Sequence, residues 1–220
     1  VENDGIDVLK GVDGILVAPG FGARGVNGKL RAIQYAREHK IPFLGICFGM
    51  QLACVEFARD VCGISRAMSI EVDEATPDPV IDFMPDQRDL EIYGGTMRLG
   101  AYACQLEAGT LAAKAYGDLE ISERHRHRYE FNNKYRAAFE EHGMRFSGHH
   151  SVGKATLVEV VELPQSMHPW FVATQAHPEF KSRPNKPSPL YRDFVGAALV
   201  HEERMRGVHG QTAPHSTHSL

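Results

Sequence analysis

Residues 41–51 read Ile41, Pro42, Phe43, Leu44, Gly45, Ile46, Cys47, Phe48, Gly49, Met50, Gln51. A short apolar run stops at Cys47, and from Met50 to Val61 the residues Met50, Ala53, Cys54, Phe57 and Val61 recur at helical spacing. A buried strand therefore passes straight into a helix, with the cysteine at the bend. Glycines two positions before and two after it let neighbouring backbones approach closely, as in the G-x-S-x-G nucleophile elbow, here with sulfur in place of oxygen. The helix N-terminus faces Cys47, and its dipole and free N–H groups favour thiolate over thiol. The competing reading is a structural cysteine packed between glycines, because a free cysteine is often buried simply as a small apolar residue.

Working outward, Gly14 to Ala18 is an apolar run that ends at Pro19 and Gly20, and Leu30, Ile33, Tyr35 and Ala36 mark a helix over 28–39. Two strand–helix units in succession predict an α/β fold with a mostly parallel central sheet flanked by helices. The stretch from Asp73 to Asp89, rich in aspartate and broken by Pro77, Pro79 and Pro85, reads as a long loop. Short strands are expected within 94–106, and Asn132 caps a helix reaching His142. Residues 144–147 and 156–162 read as paired strands, and Trp170 to Gln175 as the last strand. Ser188 and Pro189 open a helix to about Arg206, and 207–220 reads as a disordered tail. The domain thus occupies 1–206.

Composition narrows the functional classes. Of the 220 residues 43% are hydrophobic and 24% charged, a globular balance. The net charge of −4, from 24 basic against 28 acidic residues, offers no overall basic field to nucleic acid or anionic lipid. No apolar run approaches the roughly 18 residues of a membrane span, and the polar start from Val1 to Lys10 has no signal-peptide core. Cys47, Cys54, Cys62 and Cys104 contain no CxxC pair, which points to a reducing cytoplasm. Because the chain opens on Val1 with a strand close behind, it reads as trimmed or as the back part of a longer protein.

A nucleophile needs a base and the base an orienting group. His177 directly follows the Trp170–Gln175 strand and precedes Pro178, which holds it extended. Residues two apart then face the same side, so Glu179 can lie beside the His177 ring. Strand C-termini share one edge of a parallel sheet, so Cys47 and His177 can meet there. Pro19, Gly20, Phe21, Gly22, Ala23, Arg24, Gly25 form a second glycine-rich turn whose backbone N–H groups suit an oxyanion, together with the N–H of Phe48. A phosphate or dinucleotide loop ranks lower, since neither GxGxxG nor Walker A is present. The Arg124-His125-Arg126-His127-Arg128 run reads on its own as a solvated basic stretch or a nucleic-acid patch. The aspartates of 73–89 fit no EF-hand, and His149-His150 has no ligand framework, so no metal site is expected. The combined chemistry is acyl transfer from a carboxamide or ester by a cysteine.

Taken together, these motifs resemble the class I glutamine amidotransferases, whose Cys–His–Glu triad sits on such an elbow and such a His-Pro-Glu turn. Within that class the sequence is similar to the glutaminase domains of the CTP synthase family. The similarity is carried by PGFGARG at 19–25, GICFGMQ at 45–51, GGTMRLG at 94–100, RHRHRYEFN at 124–132 and HPWFVATQAHPEF at 168–180, and runs from about Gly11 to Arg206. It implies a flavodoxin-like fold with a small additional β-hairpin region. It also implies that Cys47 attacks the amide of L-glutamine, that His177 moves protons with Glu179 orienting it, and that the N–H groups of Gly20 and Phe48 hold the oxyanion. Gly20, Phe48, Gly49, Met50, Gln51, Glu71 and Arg128 would bind glutamine, and Phe21, Arg24 and Arg128 would receive the allosteric activator GTP.

The same resemblance implies that no cofactor belongs to this stretch. ATP, Mg2+ and UTP would sit on a synthase domain of the same polypeptide, in a homotetramer, and the family's opening strand–helix–strand would be missing here. That absence would leave the Gly14–Ala18 strand as an unpaired edge. Ala18-Pro19-Gly20 replaces the Pro-Gly-Gly of many members but keeps Gly20. The alternatives are a glutaminase serving GMP, anthranilate or carbamoyl phosphate synthesis, and a non-catalytic assembly or regulatory module.

Overall fold

The computed structural model describes residues 1–83, 97–153 and 155–211, with the side chains of 208–211 left aside. Its strands are β1 (Ile15–Val17), β2 (Phe43–Ile46), β3 (Ala67–Ser69), β4 (Asp78–Phe83), β5 (Arg98–Leu106), β6 (Glu120–His127), β7 (Tyr129–Phe131), β8 (Arg145–Val152), β9 (Ala155–Leu163) and β10 (Phe171–Thr174). The α-helices are α1 (Val26–His39), α2 (Phe48–Asp60), α3 (Leu111–Tyr116), α4 (Arg136–Glu141) and α5 (Pro189–Gln211).

Seven strands form the main sheet in the order β1-β2-β10-β9-β8-β5-β6. Its core alternates as a doubly covered sheet requires: Phe43 of β2 faces the cluster under α1 and α2, while Leu44 and Ile46 face the cluster under α3 and α5. Phe43 and Phe171 stack across β2 and β10 with centroids 4.4 Å apart. The layering is the α/β one expected, but the sheet is mixed rather than mostly parallel. Only β1–β2 and β2–β10 are parallel, and the remaining pairings are antiparallel. Connection length accounts for two of these pairings. Parallel neighbours need a crossover such as α1, whereas β8 to β9 and β9 to β10 are joined by short links that return the chain directly.

A second sheet, β3-β4-β7, stands where a small hairpin region was expected. It also corrects the reading of Asp73–Asp89 as a loop, because β4 lies inside that stretch. Val80 and Ile81 are fully buried, and the ladder slips between Met68↔Pro79 and Ser69↔Ile81, so the missing N–H of Pro79 falls at an irregularity. Residues 84–96, with the rest of that stretch and Gly94, Gly95 and Thr96 of the 94–100 motif, lie outside the described residues. The two short strands expected within 94–106 are one strand, β5. Asn132 caps as expected, its side chain accepting from Lys134 N, although a 3-10 turn precedes α4. The helix expected to stop near Arg206 continues to Gln211, and 212–220 lie outside the described residues.

Candidate active site

Cys47 sits between β2 and α2 with φ 52° and ψ −104°, a positive φ outside the range that residues with a side chain normally adopt. Neighbouring backbones impose this turn. Cys47 N–H donates to Thr174 O at 2.7 Å. A Cβ on Gly49 would run into the carbonyl oxygen of Val17, and one on Gly45 would stand 2.9 Å from both Ala173 Cβ and Gly49 O. Burial pushes the Cys47 thiol up to about 12, against the lowering effect of the Phe48 N–H and with the carboxylates of Glu179, Glu71 and Glu130 adding to the rise. The N–H at the helix N-terminus does act in the thiolate's favour, as expected, but desolvation outweighs it.

The parallel pairing of β2 with β10 brings His177 to the same sheet edge. Its N–H donates to Arg124 O at 2.7 Å, and its ring is stacked by Phe180 with centroids 5.0 Å apart at 11°. Nδ1 lies 2.5 Å from Glu179 Oε1. A carboxylate accepts, so the ring proton sits on Nδ1 and the lone pair on Nε2. Nε2 is buried and has no partner among the described residues.

Cys47 and His177 line one cavity of about 530 Å³ with Gly20, Phe21, Gln51, Glu71, Arg126, His127, Arg128 and Tyr129 among its walls. Glu71 Oε1 accepts from Gly22 N–H at 2.9 Å, tying the 19–25 turn to the segment just after β3. Gln51 donates to Tyr129 O at 3.0 Å. Of the other residues singled out in the sequence, Phe48 turns its ring away while its N–H acts on the sulfur. Glu179 stands behind His177. Met50 is fully buried in the core and Gly49 packs on β1, so neither lines the cavity, and Arg24 is exposed away from it.

The basic run resolves by alternation. Along β6, His125 and His127 point inward and Arg124, Arg126 and Arg128 outward, with Arg128 at the step where the chain leaves the main sheet for β7 in the second. The inward side joins a buried cluster that sequence reading missed. Arg98 lies 3.1 Å from Glu130 and 2.8 Å from Glu159, under the ring of Tyr102. Burial pushes both carboxyls up while Arg98 works against it. Burial, with Arg98 and neighbouring imidazoles, pushes His125 down to about 2; burial and Arg98 push His127 down to about 3.

Both rings are therefore neutral, and their tautomers follow from the contacts. Tyr129 O only accepts, so His127 carries its proton on Nδ1, 3.2 Å away. His127 Nε2 must then accept from His125 Nδ1–H at 3.0 Å. That leaves the lone pair of His125 Nε2 toward Glu159 Oε2 at 3.4 Å, with no hydrogen bond between them, while Glu159 keeps its contact with Arg98. Among the described residues no group of His, Cys, Asp or Glu gathers to hold a metal ion, and no helix is long and apolar enough to cross a membrane.

An elbow cysteine, a carboxylate-held histidine and two N–H-bearing turns on one cavity define a class, and comparison with known proteins gives the same class. The sequence matches the family Glutamine amidotransferase class-I over residues 2–197, and the chain belongs to that family. Within the family it groups with the glutaminase domains of CTP synthases. It is 62% identical over 193 residues to the CTP synthase of Geobacillus kaustophilus, covering 88% of this chain and 36% of that protein. It is 54% identical over 198 residues to that of Bacillus subtilis, covering 90% and 36%. The chain thus spans about a third of the length of these curated relatives. The glutaminase domain of Trypanosoma brucei CTP synthase, solved with bound acivicin, superposes with a TM-score of 0.81 at 39% identity, covering 88% of this chain and 73% of that one.

Proposed function

We propose that this chain hydrolyses L-glutamine to L-glutamate and ammonia, with Cys47 as nucleophile, His177 as proton carrier and Glu179 as its orienting partner. The observation that carries the reading is the free Nε2 of His177. Its other nitrogen is held by Glu179, and it shares a cavity with the only cysteine on that cavity's wall among the described residues.

The chemistry starts from a neutral pair, because the buried thiol keeps its proton at rest. His177 Nε2 takes that proton as Sγ bonds to the amide carbon of glutamine. Negative charge moves to the amide oxygen, where the N–H groups of Gly20 and Phe48 receive it. The imidazolium gives its proton to the departing nitrogen, and the C–N bond breaks to release ammonia and leave a glutamyl thioester. His177 then takes a proton from water, hydroxide adds to the thioester, and glutamate leaves as the thiol is restored. Glu71 and Arg128, both on the cavity wall, match the ammonium and carboxylate of a free amino acid. Gln51 completes the glutamine site, and Gly49 and Met50 contribute through the helix that holds Phe48 in place.

The family resemblance extends the reading to the whole protein. The ammonia would serve ATP- and Mg2+-dependent amination of UTP to CTP on a synthase domain, within a cytoplasmic homotetramer. GTP would act near Phe21, Arg24 and Arg128; the 87% exposure of the Phe21 ring supports a docking role there. The test is release of ammonia and glutamate from glutamine by the purified chain, with and without a synthase domain supplied. Cys47→Ser is expected to lower the rate at least about a thousandfold. Equal turnover by Cys47→Ser and the unaltered chain would overturn the assignment.

A further inference from the structure

The register that pairs β2 with β10 also sets Gln175 beside the sulfur, a residue with no role in the mechanism above. Ile46 lies opposite Thr174, so the next residues of the two strands, Cys47 and Gln175, emerge side by side. Gln175 is fully buried. Its Nε2 is 3.6 Å from Cys47 Sγ, a hydrogen-bond distance for the large sulfur atom, and its Oε1 is 3.2 Å from Gln51 Nε2. Its own N–H donates to Glu159 O at 2.8 Å, which fixes its backbone.

The direction of this chain is not arbitrary. Tyr129 O can only accept, so the atom of Gln51 that approaches it at 3.0 Å is the amide nitrogen. The second hydrogen of that nitrogen needs an acceptor, which makes the nearer atom of Gln175 its oxygen. The NH₂ of Gln175 is then turned to the sulfur. In a pocket this dry an unbonded amide N–H is costly, so the sulfur and the amide satisfy each other.

We propose that Gln175 is a further catalytic residue of this site: its side-chain N–H donates to Cys47 Sγ, holds the sulfur in one rotamer and carries part of its negative charge as the thiolate forms. The proposal rests on Cys47 being the nucleophile. It gives the sulfur a second donor besides the Phe48 N–H, facing the carboxylates of Glu71 and Glu179. Gln51, on the cavity wall, is the other end of the chain that keeps the donor aimed.

The test is the pH dependence of Cys47 alkylation by iodoacetamide in the 220-residue chain, with peptide mass mapping to separate Cys47 from Cys54, Cys62 and Cys104. This readout needs no glutamine turnover. A chain that alkylates as described but hydrolyses no glutamine would overturn the proposed function and not this contact. Gln175→Glu keeps the acceptor toward Gln51 and removes the donor toward sulfur. It is expected to slow alkylation at pH 8 about tenfold and to move the profile to higher pH, since one unit of titration shift is a tenfold change in thiolate. Gln175→Met, of similar length, is expected to slow it about threefold to tenfold.

In glutamine hydrolysis both variants should lower kcat more than they raise KM, the pattern of an interaction strengthened in the transition state. A Cys47 profile in Gln175→Glu within about twofold of the unaltered chain would overturn the proposal. Should the variants fail to fold, the unaltered chain decides by nuclear magnetic resonance. The Gln175 side-chain amide protons are expected to shift when Cys47 alone is alkylated, and their invariance would overturn the contact.

Discussion

The two halves of the main sheet reach the cavity with different materials. The parallel half, β1, β2 and β10, presents glycines, backbone N–H groups and one strained cysteine, and it works by close approach of main chains. The antiparallel half, β9, β8, β5 and β6, presents Arg98, Glu159 and two neutral imidazoles sealed beneath the wall that carries Arg126 and Arg128. One half shapes the bend that exposes the nucleophile; the other holds the wall that faces it, through Arg124 O to His177, and β7 of the second sheet continues that wall through Tyr129 O to Gln51. Steric failure should dominate in the first half and unpaired charge in the second.

The largest effect is expected from the charged half. Arg98→Met leaves Glu130 without its cation and Glu159 without its donor, and such a removal costs about 3–5 kcal/mol, read as a shift in the denaturant midpoint. In the glycine half, Gly49→Ala drives a methyl group into the Val17 carbonyl, and about 3 kcal/mol is expected, with loss of turnover because the elbow must open.

Acid sharpens the contrast. His127 is pushed down to about 3 in the fold against about 6.5 unfolded, so its neutral form contributes stability that is present above pH 6.5 and is lost as the pH falls toward 3. A His127→Gln chain lacks that loss. Its stability relative to the unaltered chain should improve by up to about 1.4 kcal/mol for each pH unit below 6.5, measured by urea unfolding at several pH values. Cys47→Gly relaxes the positive φ and is expected to be about 1 kcal/mol more stable than Cys47→Ala, though both are inactive. Smallest of all is Glu159→Gln, which imitates the protonated acid that burial favours and should change stability by under about 1 kcal/mol; a loss comparable to Arg98→Met would show that Glu159 is ionised.

Legibility divided along the same line. The elbow, the His177–Glu179 pair and the 19–25 turn were readable because each is local: strand, bend and helix follow one another, and a two-residue spacing places the carboxylate beside the ring. Arg98, Glu130 and Glu159 are far apart in the chain and meet only through the antiparallel pairings, which no local pattern announces. The sheet was expected to be mostly parallel for a related reason, since two strand–helix units were generalised to strands that return without a crossover. Gln175 had a signal, a polar residue at the end of an apolar strand, but its meaning depends on which residue the next strand puts opposite it. β4 was hidden by Pro79, whose missing donor falls where the ladder slips.

The left-handed backbone at Cys47 has a bearing on how the molecule ages under heat. A strained dihedral persists only while its surroundings press on it, and here those are the strands β1 and β10 on either side of β2, which crowd and hydrogen-bond the bend. The sulfur should therefore stay on its mark for as long as those strands stay paired, so warming should silence the protein and melt it over the same interval.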